Sequence, residues 1–284
     1  MEYKFAEDLF TIRDLLGLSQ ENFAKIIDVE QPTIARSETG ETNPSNKLLE
    51  LVYGTAFEKN IQLGKLKEML YKETLKEKHK LLFHGAKSKI VGQVELYKGR
   101  ENNDFGQGFY TGESYHQAIS FVSNFDNSSI YFIDLDMTNL KCKNYKVDQD
   151  WMMTIAYFRG RLDEYKDNEK ILKLVDEVNK CDYIIAPIAD NRMFQLINSF
   201  IDGEITDEQC KHCLAATNLG YQYIFKTKKA LENVKLLERC YIASSEKNYY
   251  KNIRSKDAKL GDDKVKLARR KYRGIGKYID EILD

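Results

Sequence analysis

Apolar residues recur every three to four positions through the first 60 residues, a period that predicts a small helical bundle. Leu9, Ile12, Leu15 and Leu16 mark a first helix, which Gly17 stops. Ser19 is placed to cap a second helix, with Phe23, Ala24, Ile26 and Ile27 on its buried side. After a turn at Asp28-Val29, Pro32 takes a first-turn position in a third helix running through Ile34 and Arg36 to Glu38, and Gly40 ends it. Pro44-Ser45 open a fourth helix with Leu48, Leu49 and Val52. From Ala56 to Lys80 a helical period continues through Phe57, Ile61, Leu63, Leu66, Met69 and Leu70. Lysines are expected on its outer face, and residues 61–80 read as a helical connector.

Past residue 80 the pattern changes. Leu81-Leu-Phe83 and the alternating Ile130–Asp136 stretch predict strands, as do Tyr183–Pro187, Tyr221–Phe225 and Leu236–Ile242. Helices are expected over Trp151–Phe158, Glu169–Asn179, Arg192–Phe200, Thr206–Ala216 and Thr227–Val234. Ile171, Leu172, Leu174, Val175 and Val178 form the expected inner side of the second of these. Strands and helices mix without regular alternation, so residues 81–243 read as an α+β domain behind an all-α bundle of residues 1–60. The tail from 244 to 284 is basic, with two modest helical patterns.

Hydrophobic residues make up 42% and charged residues 31% of the 284, the balance of a soluble globular protein. No apolar run is long enough for a membrane span and no secretory signal opens the chain, so no membrane partner is expected. Five scattered cysteines argue against a disulfide framework and for the cytoplasm. Cys210-Lys-His-Cys213 has metal-like spacing without a second pair, so no metal is expected. The net charge of zero hides an asymmetry. Residues 1–60 carry 6 basic and 11 acidic groups, whereas residues 225–277 carry 17 and 6. Tyrosines 249, 250, 272 and 278 interleave the basic tail, a composition suited to single-stranded nucleic acid or to a solvated C-terminus.

The first 55 residues resemble the phage-repressor type of helix-turn-helix. The matching residues are Gly17-Leu-Ser-Gln20, Phe23-Ala24, Ile27, Val29 and Thr33-Ile-x-Arg-x-Glu-x-Gly40. That resemblance implies a third helix in the DNA major groove, Gln20 on phosphate, and Gln31, Thr33 and Arg36 facing bases. The acidic balance of the bundle favours a second reading, a dimerisation or docking module, because phosphate contacts supply most DNA affinity.

Candidate chemistry gathers between Leu81 and Phe121. An apolar run ends in His84-Gly85, and Asn-Asp104-Phe-Gly-Gln-Gly-Phe-Tyr110-Thr-Gly112 follows, leading to a helix start at Ser114. Gly106-Gln-Gly108 alone is a weak phosphate-loop candidate. Together these segments resemble the histidine–tyrosine–glutamate branch of the ADP-ribosyltransferase superfamily, and with Ile185–Asp190 an uncharacterised bacterial subgroup of it. The resemblance implies NAD as substrate. It assigns His84 to the adenosine ribose, Gly85 to the nicotinamide amide, and Tyr110 to stacking on the nicotinamide ring. Asp104 and Arg192 join as cofactor-binding candidates, and the second stacking ring is Phe121 or Tyr115. The other reading of Arg192 is a surface pair with Asp190 that caps the next helix.

Where the family carries its glutamate, this chain has Gln222. Cleavage of the nicotinamide–ribose bond builds positive charge on the ribose, which a carboxylate steadies. Three outcomes follow: Gln222 suffices, a carboxylate such as Asp104, Glu113 or Glu204 substitutes, or NAD binds without turnover. The leading expectation is an NAD-dependent ADP-ribosyltransferase acting on nucleic acid or protein. The resemblance sets it among bacterial toxins or phage-defence effectors, with DNA, a neutralising antitoxin protein or a second copy as partners. The alternative is a transcription regulator with a non-catalytic NAD-sensing domain. A third option is a docking protein that uses neither site.

Overall fold

A computed structural model describes residues 1–216 and 220–283, so the last residue of the basic tail lies outside the description. Helices α1 (Phe5–Leu15), α2 (Gln20–Ile26), α3 (Gln31–Glu38) and α4 (Asn46–Glu58) form the N-terminal bundle. The Ser19 and Ser45 hydroxyls accept from the N–H groups of Asn22 and Leu48, capping α2 and α4. Pro32 sits in the first turn of α3. Residues 56–80 are not one helix: α4 ends, Asn60 adopts a positive φ of 65°, and α5 (Leu63–Glu73) starts afresh.

The rest of the chain runs β1 (His79–Ala86), β2 (Phe109–Gly112), α6 (Tyr115–Val122), β3 (Ser129–Asp136), β4 (Cys142–Asn144) and α7 (Gln149–Phe158). Then come α8 (Glu169–Asn179), β5 (Tyr183–Pro187), α9 (Asn191–Ile201), α10 (Asp207–Ala215), β6 (Tyr221–Phe225) and α11 (Lys228–Glu232). The chain closes with β7 (Val234–Tyr241), α12 (Ser244–Lys271) and α13 (Asp280–Leu283). The two helical patterns expected in the tail correspond to the 28-residue α12 and the short α13. Among the described residues no helix is long and apolar enough to cross a membrane.

The chain divides into two compact units that do not follow sequence order. The first comprises residues 1–92, 114–135 and 235–254. It holds the bundle, α5, α6 and strands in the order β1-β3-β7. Phe5, Leu9, Ile12, Phe23, Ile34 and Val52 fill the bundle core, which Ala243 joins from the end of β7. A second core packs Phe83 of β1 and Phe132 of β3 against Tyr115 and Ile119 of α6. Three apolar positions expected inside, Leu15, Ile26 and Leu172, are exposed instead. Each lies at the edge of its helix's apolar stripe, where a one-residue rotation of about 100° decides the side.

Helix α5 reverses its expected orientation. Lys67 points inward, where its ammonium meets Asp8 Oδ1 at 2.5 Å and Glu238. The Tyr53 hydroxyl donates to Asp8 Oδ2 (2.6 Å) and the Tyr71 hydroxyl to Glu238 Oε2 (2.9 Å). Two buried carboxylates thus require one cation between them, and that demand outranks the burial of Leu66, Met69 and Leu70 on the opposite face.

The second unit comprises residues 93–113, 136–234 and 255–284. Its strands run β4-β5-β6-β2, with β4 parallel to β5 and the other pairs antiparallel. Trp151, Met152 and Ile155 of α7 pack with Ile171 and Leu174 of α8, Ile197 and Phe200 of α9 and Ile224 of β6. The mixed sheet and its covering helices agree with the α+β expectation.

Candidate functional sites

In the second unit, β6 is flanked by β2 and β5, and the register sets Gly112 and Ala186 on either side of Gln222. Residues directly opposite one another share a face, so two small neighbours leave space around the Gln222 amide. Its Nε2 donates to Asp104 Oδ2 at 2.8 Å and to the Pro187 carbonyl at 3.3 Å. Both partners only accept, which fixes the amide orientation. Among the described residues Oε1 of Gln222 takes no hydrogen bond, and it remains as an acceptor. Asp104 is buried, and its other oxygen receives Nε of Arg159 at 2.9 Å and Nη2 as well. Arg159 also donates to the Ala189 carbonyl and lies 4.3 Å above the Phe194 ring.

The loop that carries Asp104 is tied from two directions. The Phe105 N–H donates to the Tyr110 hydroxyl (3.1 Å), which donates in turn to the Gly106 carbonyl (2.7 Å). Lys226, its pKa lowered by burial, donates to the carbonyls of Phe105 and Gln107 (2.5 and 2.7 Å). Gly106 has φ +71°, and a Cβ there would meet the Phe158 ring at 3.0 Å. The weak phosphate-loop reading loses ground here. The N–H groups of Phe105 and Gly106 are already bonded, the latter to the Asn103 carbonyl, so neither is open to an anion. Tyr110 keeps a partly buried ring, and burial raises its hydroxyl well above the ordinary phenol value.

In the first unit, β1 presents His84 half-buried, on the face opposite Phe83 and Gly85. Gly85 faces α6: a Cβ there would stand 2.7 Å from the Ala118 carbonyl oxygen and 2.8 Å from Val122. Close helix packing therefore already demands a glycine at this place. Of the two candidate stacking rings, Tyr115 is fully buried and donates to Glu246 Oε1 at 3.1 Å, so it serves the core. Phe121 is 44% exposed, with the Arg254 guanidinium 5.3 Å from its ring centre.

The remaining candidates are placed as follows. Glu113 is half-buried and accepts the Tyr221 N–H at 3.1 Å, next to Gln222 in sequence. Glu204 is exposed in the turn between α9 and α10. Asp190 caps α9 by accepting from the N–H groups of Arg192 and Met193. The Arg192 guanidinium reaches the Ala258 carbonyl (2.8 Å) and Asp262 (3.0 Å) on α12 and lies 3.4 Å from Asp190. Those carboxylates answer its charge, which matches the surface-pair alternative. Cys210 and Cys213 are buried in α10, their thiols directed to the carbonyls of Leu196 and Val265. Among the described residues no three metal-ligating side chains gather.

On the bundle, Thr33 and Arg36 are exposed on α3 and Gln31 is half-buried. Gln31 Nε2 donates to Gln20 Oε1 (2.8 Å), and Gln20 Nε2 donates to Glu38 Oε2 (2.7 Å). Arg13 Nε holds the other Glu38 oxygen at 2.7 Å.

A helix-turn-helix family model matches residues 9–52, the stretch that contains α2 and α3. A second model, described as a protein of unknown function (DUF3990), matches residues 81–236, more than half of the chain. The chain belongs to the DUF3990 family. No curated protein and no solved structure matches it.

Within the DUF3990 region, three participants escaped the sequence reading: Arg159, Lys226 and the Pro187 carbonyl. Arg159 did leave a trace. It is a single cation directly after the apolar run Trp151–Phe158, where a helix end meets the interior. Lys226 left none, because a lysine following a strand is ordinarily solvated.

Proposed function

We propose that the DUF3990 region is an NAD-dependent ADP-ribosyltransferase and that the helix-turn-helix brings it to DNA. The observation that carries this reading is the Gln222–Asp104 pair. Gln222 offers a carbonyl oxygen as acceptor, and the Asp104 carboxylate polarises its amide from behind. In the reaction the nicotinamide–ribose bond breaks and nicotinamide leaves with the electron pair. The acceptor then bonds to the ribose carbon and releases a proton. Oε1 of Gln222 would accept from a ribose hydroxyl as positive charge develops, the task that a glutamate performs in the superfamily this chain resembles. Tyr110 would contribute only a ring face, since its hydroxyl is committed to the loop.

A second reading, a transcription regulator that binds NAD without turnover, is favoured by one fact: Arg159 neutralises the nearest carboxylate. Incubation of the protein with labelled NAD and separate pools of DNA, RNA and protein decides between them. Transfer of label, reduced about a hundredfold in Asp104→Asn, supports the enzyme. Calorimetric NAD binding with no nicotinamide release selects the regulator. Neither binding nor release overturns both.

A further inference from the structure

The first unit holds a cavity of about 610 Å³ that His84, Asp104, Tyr110 and Gln222 do not line. Its walls come from the N-terminal segment, the start of α4, the loop after β1, the turn before β3, and β7. Arg239 of β7 stands on that wall and is only 8% exposed. A parallel β-bridge pairs Tyr3 with Arg239, and the guanidinium carbon lies 4.2 Å from the Tyr3 ring centre. Nε donates to Ser129 Oγ at 3.1 Å. One face of the guanidinium is thus covered and its Nε is committed.

The far edge is open. Arg13, Arg159 and Arg192 each meet a carboxylate, but among the described residues Arg239 forms no ion pair and neither of its Nη atoms donates a hydrogen bond. A cation this deeply buried without an anion is costly, and an aromatic face offsets only part of that cost. Two carboxylates do line the cavity. Glu2 is exposed and pairs with Lys89, and Asp126 is exposed. The lining charges therefore cancel, Lys89 and Arg239 against Glu2 and Asp126. Walls of that kind give a polyanion such as a nucleic-acid backbone no net attraction. One small anion is a better match, since the planar fork of the two Nη atoms fits both oxygens of a carboxylate. Asn46, Ser88 and Asn127 surround it with neutral donors and acceptors. The volume also lies within the range of small-ligand sites, about 300–1,000 Å³. We propose that this cavity binds a small molecule through a single carboxylate held on Arg239.

Thermal melts of the full-length chain test this with acetate as the probe, because acetate is the smallest molecule with that chemistry. With a dissociation constant of about 10 mM, acetate at about 100 mM should raise the melting temperature by about 2–4 °C over sodium chloride of equal ionic strength. Acetamide, which has the same shape without the charge, should not. Arg239→Lys keeps the cation and removes the fork, and should abolish most of the shift. Asn127→Asp adds a carboxylate at an exposed wall position and should weaken acetate about threefold, which keeps the test decisive if the Arg239 variant does not fold. Asn252→Asp, exposed on α12 and outside the cavity walls, should leave the shift unchanged. No stabilisation beyond that of chloride overturns the proposal. So does an equal effect of acetamide, or a shift that Asn127→Asp leaves intact.

Discussion

Two buried ionic clusters in this protein are built to different ends. In the first unit Lys67 stands between Asp8 and Glu238, and a tyrosine hydroxyl takes the remaining oxygen of each carboxylate. That network is closed. In the second unit the chain from Arg159 through Asp104 to Gln222 ends in an amide oxygen that has no partner among the described residues. A closed network fixes structure and offers nothing to a ligand. An open one, anchored on a buried charge pair, holds one acceptor ready for something that arrives later. The contrast separates residues whose polar groups are all spent on the fold from one that still has an acceptor to offer.

The largest effect should come from opening the closed cluster. Lys67→Met leaves Asp8 buried without its cation and Glu238 with only the half-exposed Lys4 at 3.8 Å, and should cost about 3–5 kcal/mol in urea unfolding. Burial already lifts the Asp8 carboxyl above its ordinary value even with Lys67 beside it. Tyr53→Phe and Tyr71→Phe should each cost less, about 1–2 kcal/mol, because the ion pairs remain.

Glu246 sharpens the same point through pH. It is buried in the first unit, where it accepts from the Tyr115 hydroxyl, and desolvation pushes its pKa up to about 7. Its folded value lies above the ordinary carboxyl value, so its contribution to stability is complete below about pH 4.5. That contribution is lost as pH rises through about 7, a change of about 3 kcal/mol. Glu246→Gln should flatten this part of the stability profile, as read from melting temperatures between pH 4 and 8. An unaltered slope would mean that other groups govern it.

The open cluster makes a prediction against intuition. If the DUF3990 region is the transferase proposed above, Gln222→Glu should not raise its activity. The new carboxylate would face Asp104 Oδ2 and the Pro187 carbonyl, two acceptors where Nε2 now donates. A loss of about 1–3 kcal/mol is expected. Like-charge repulsion should raise the new group's pKa, so the variant should melt closer to wild type at pH 5 than at pH 8. Increased nicotinamide release by this variant would show that Gln222 is a damaged acid rather than a fitted amide.

Much of the fold was legible because it obeys local rules. The serine caps of α2 and α4, the early proline of α3 and the apolar stripe of α8 speak within a few residues of themselves. The failures are long-range. Lys67 looked like a solvated lysine because Asp8 and Glu238, which draw it inward, lie 59 residues before it and 171 after it. The pairing of Asp104 with Gln222 spans 118 residues and depends on the β2–β6–β5 register, which no periodicity encodes. Gly85 was assigned by resemblance to a ligand, and the packing of α6 supplies a structural demand for the same residue. Arg159 and Lys226 escaped notice because a buried cation is recognisable only through its partners.

The smallest effects belong to the bundle, where the same contrast recurs on one surface. Arg36 is exposed on α3, whereas Gln20 is engaged by Glu38 and Gln31. If the module reads DNA as its family match suggests, Arg36 contacts bases directly and Gln20 positions Gln31. Arg36→Ala should then weaken binding to a duplex selected from a random-sequence pool by about tenfold and relax preference at one position. Gln20→Ala should weaken it only about threefold, because Arg13 still holds Glu38 while Gln31 loses its acceptor. The Arg13–Glu38 pair removes one charge of each sign, so the acidic balance of the bundle still stands against DNA affinity. Equal losses from both variants would place Gln20 at the DNA itself. No selectable duplex at all would leave the module as a docking surface.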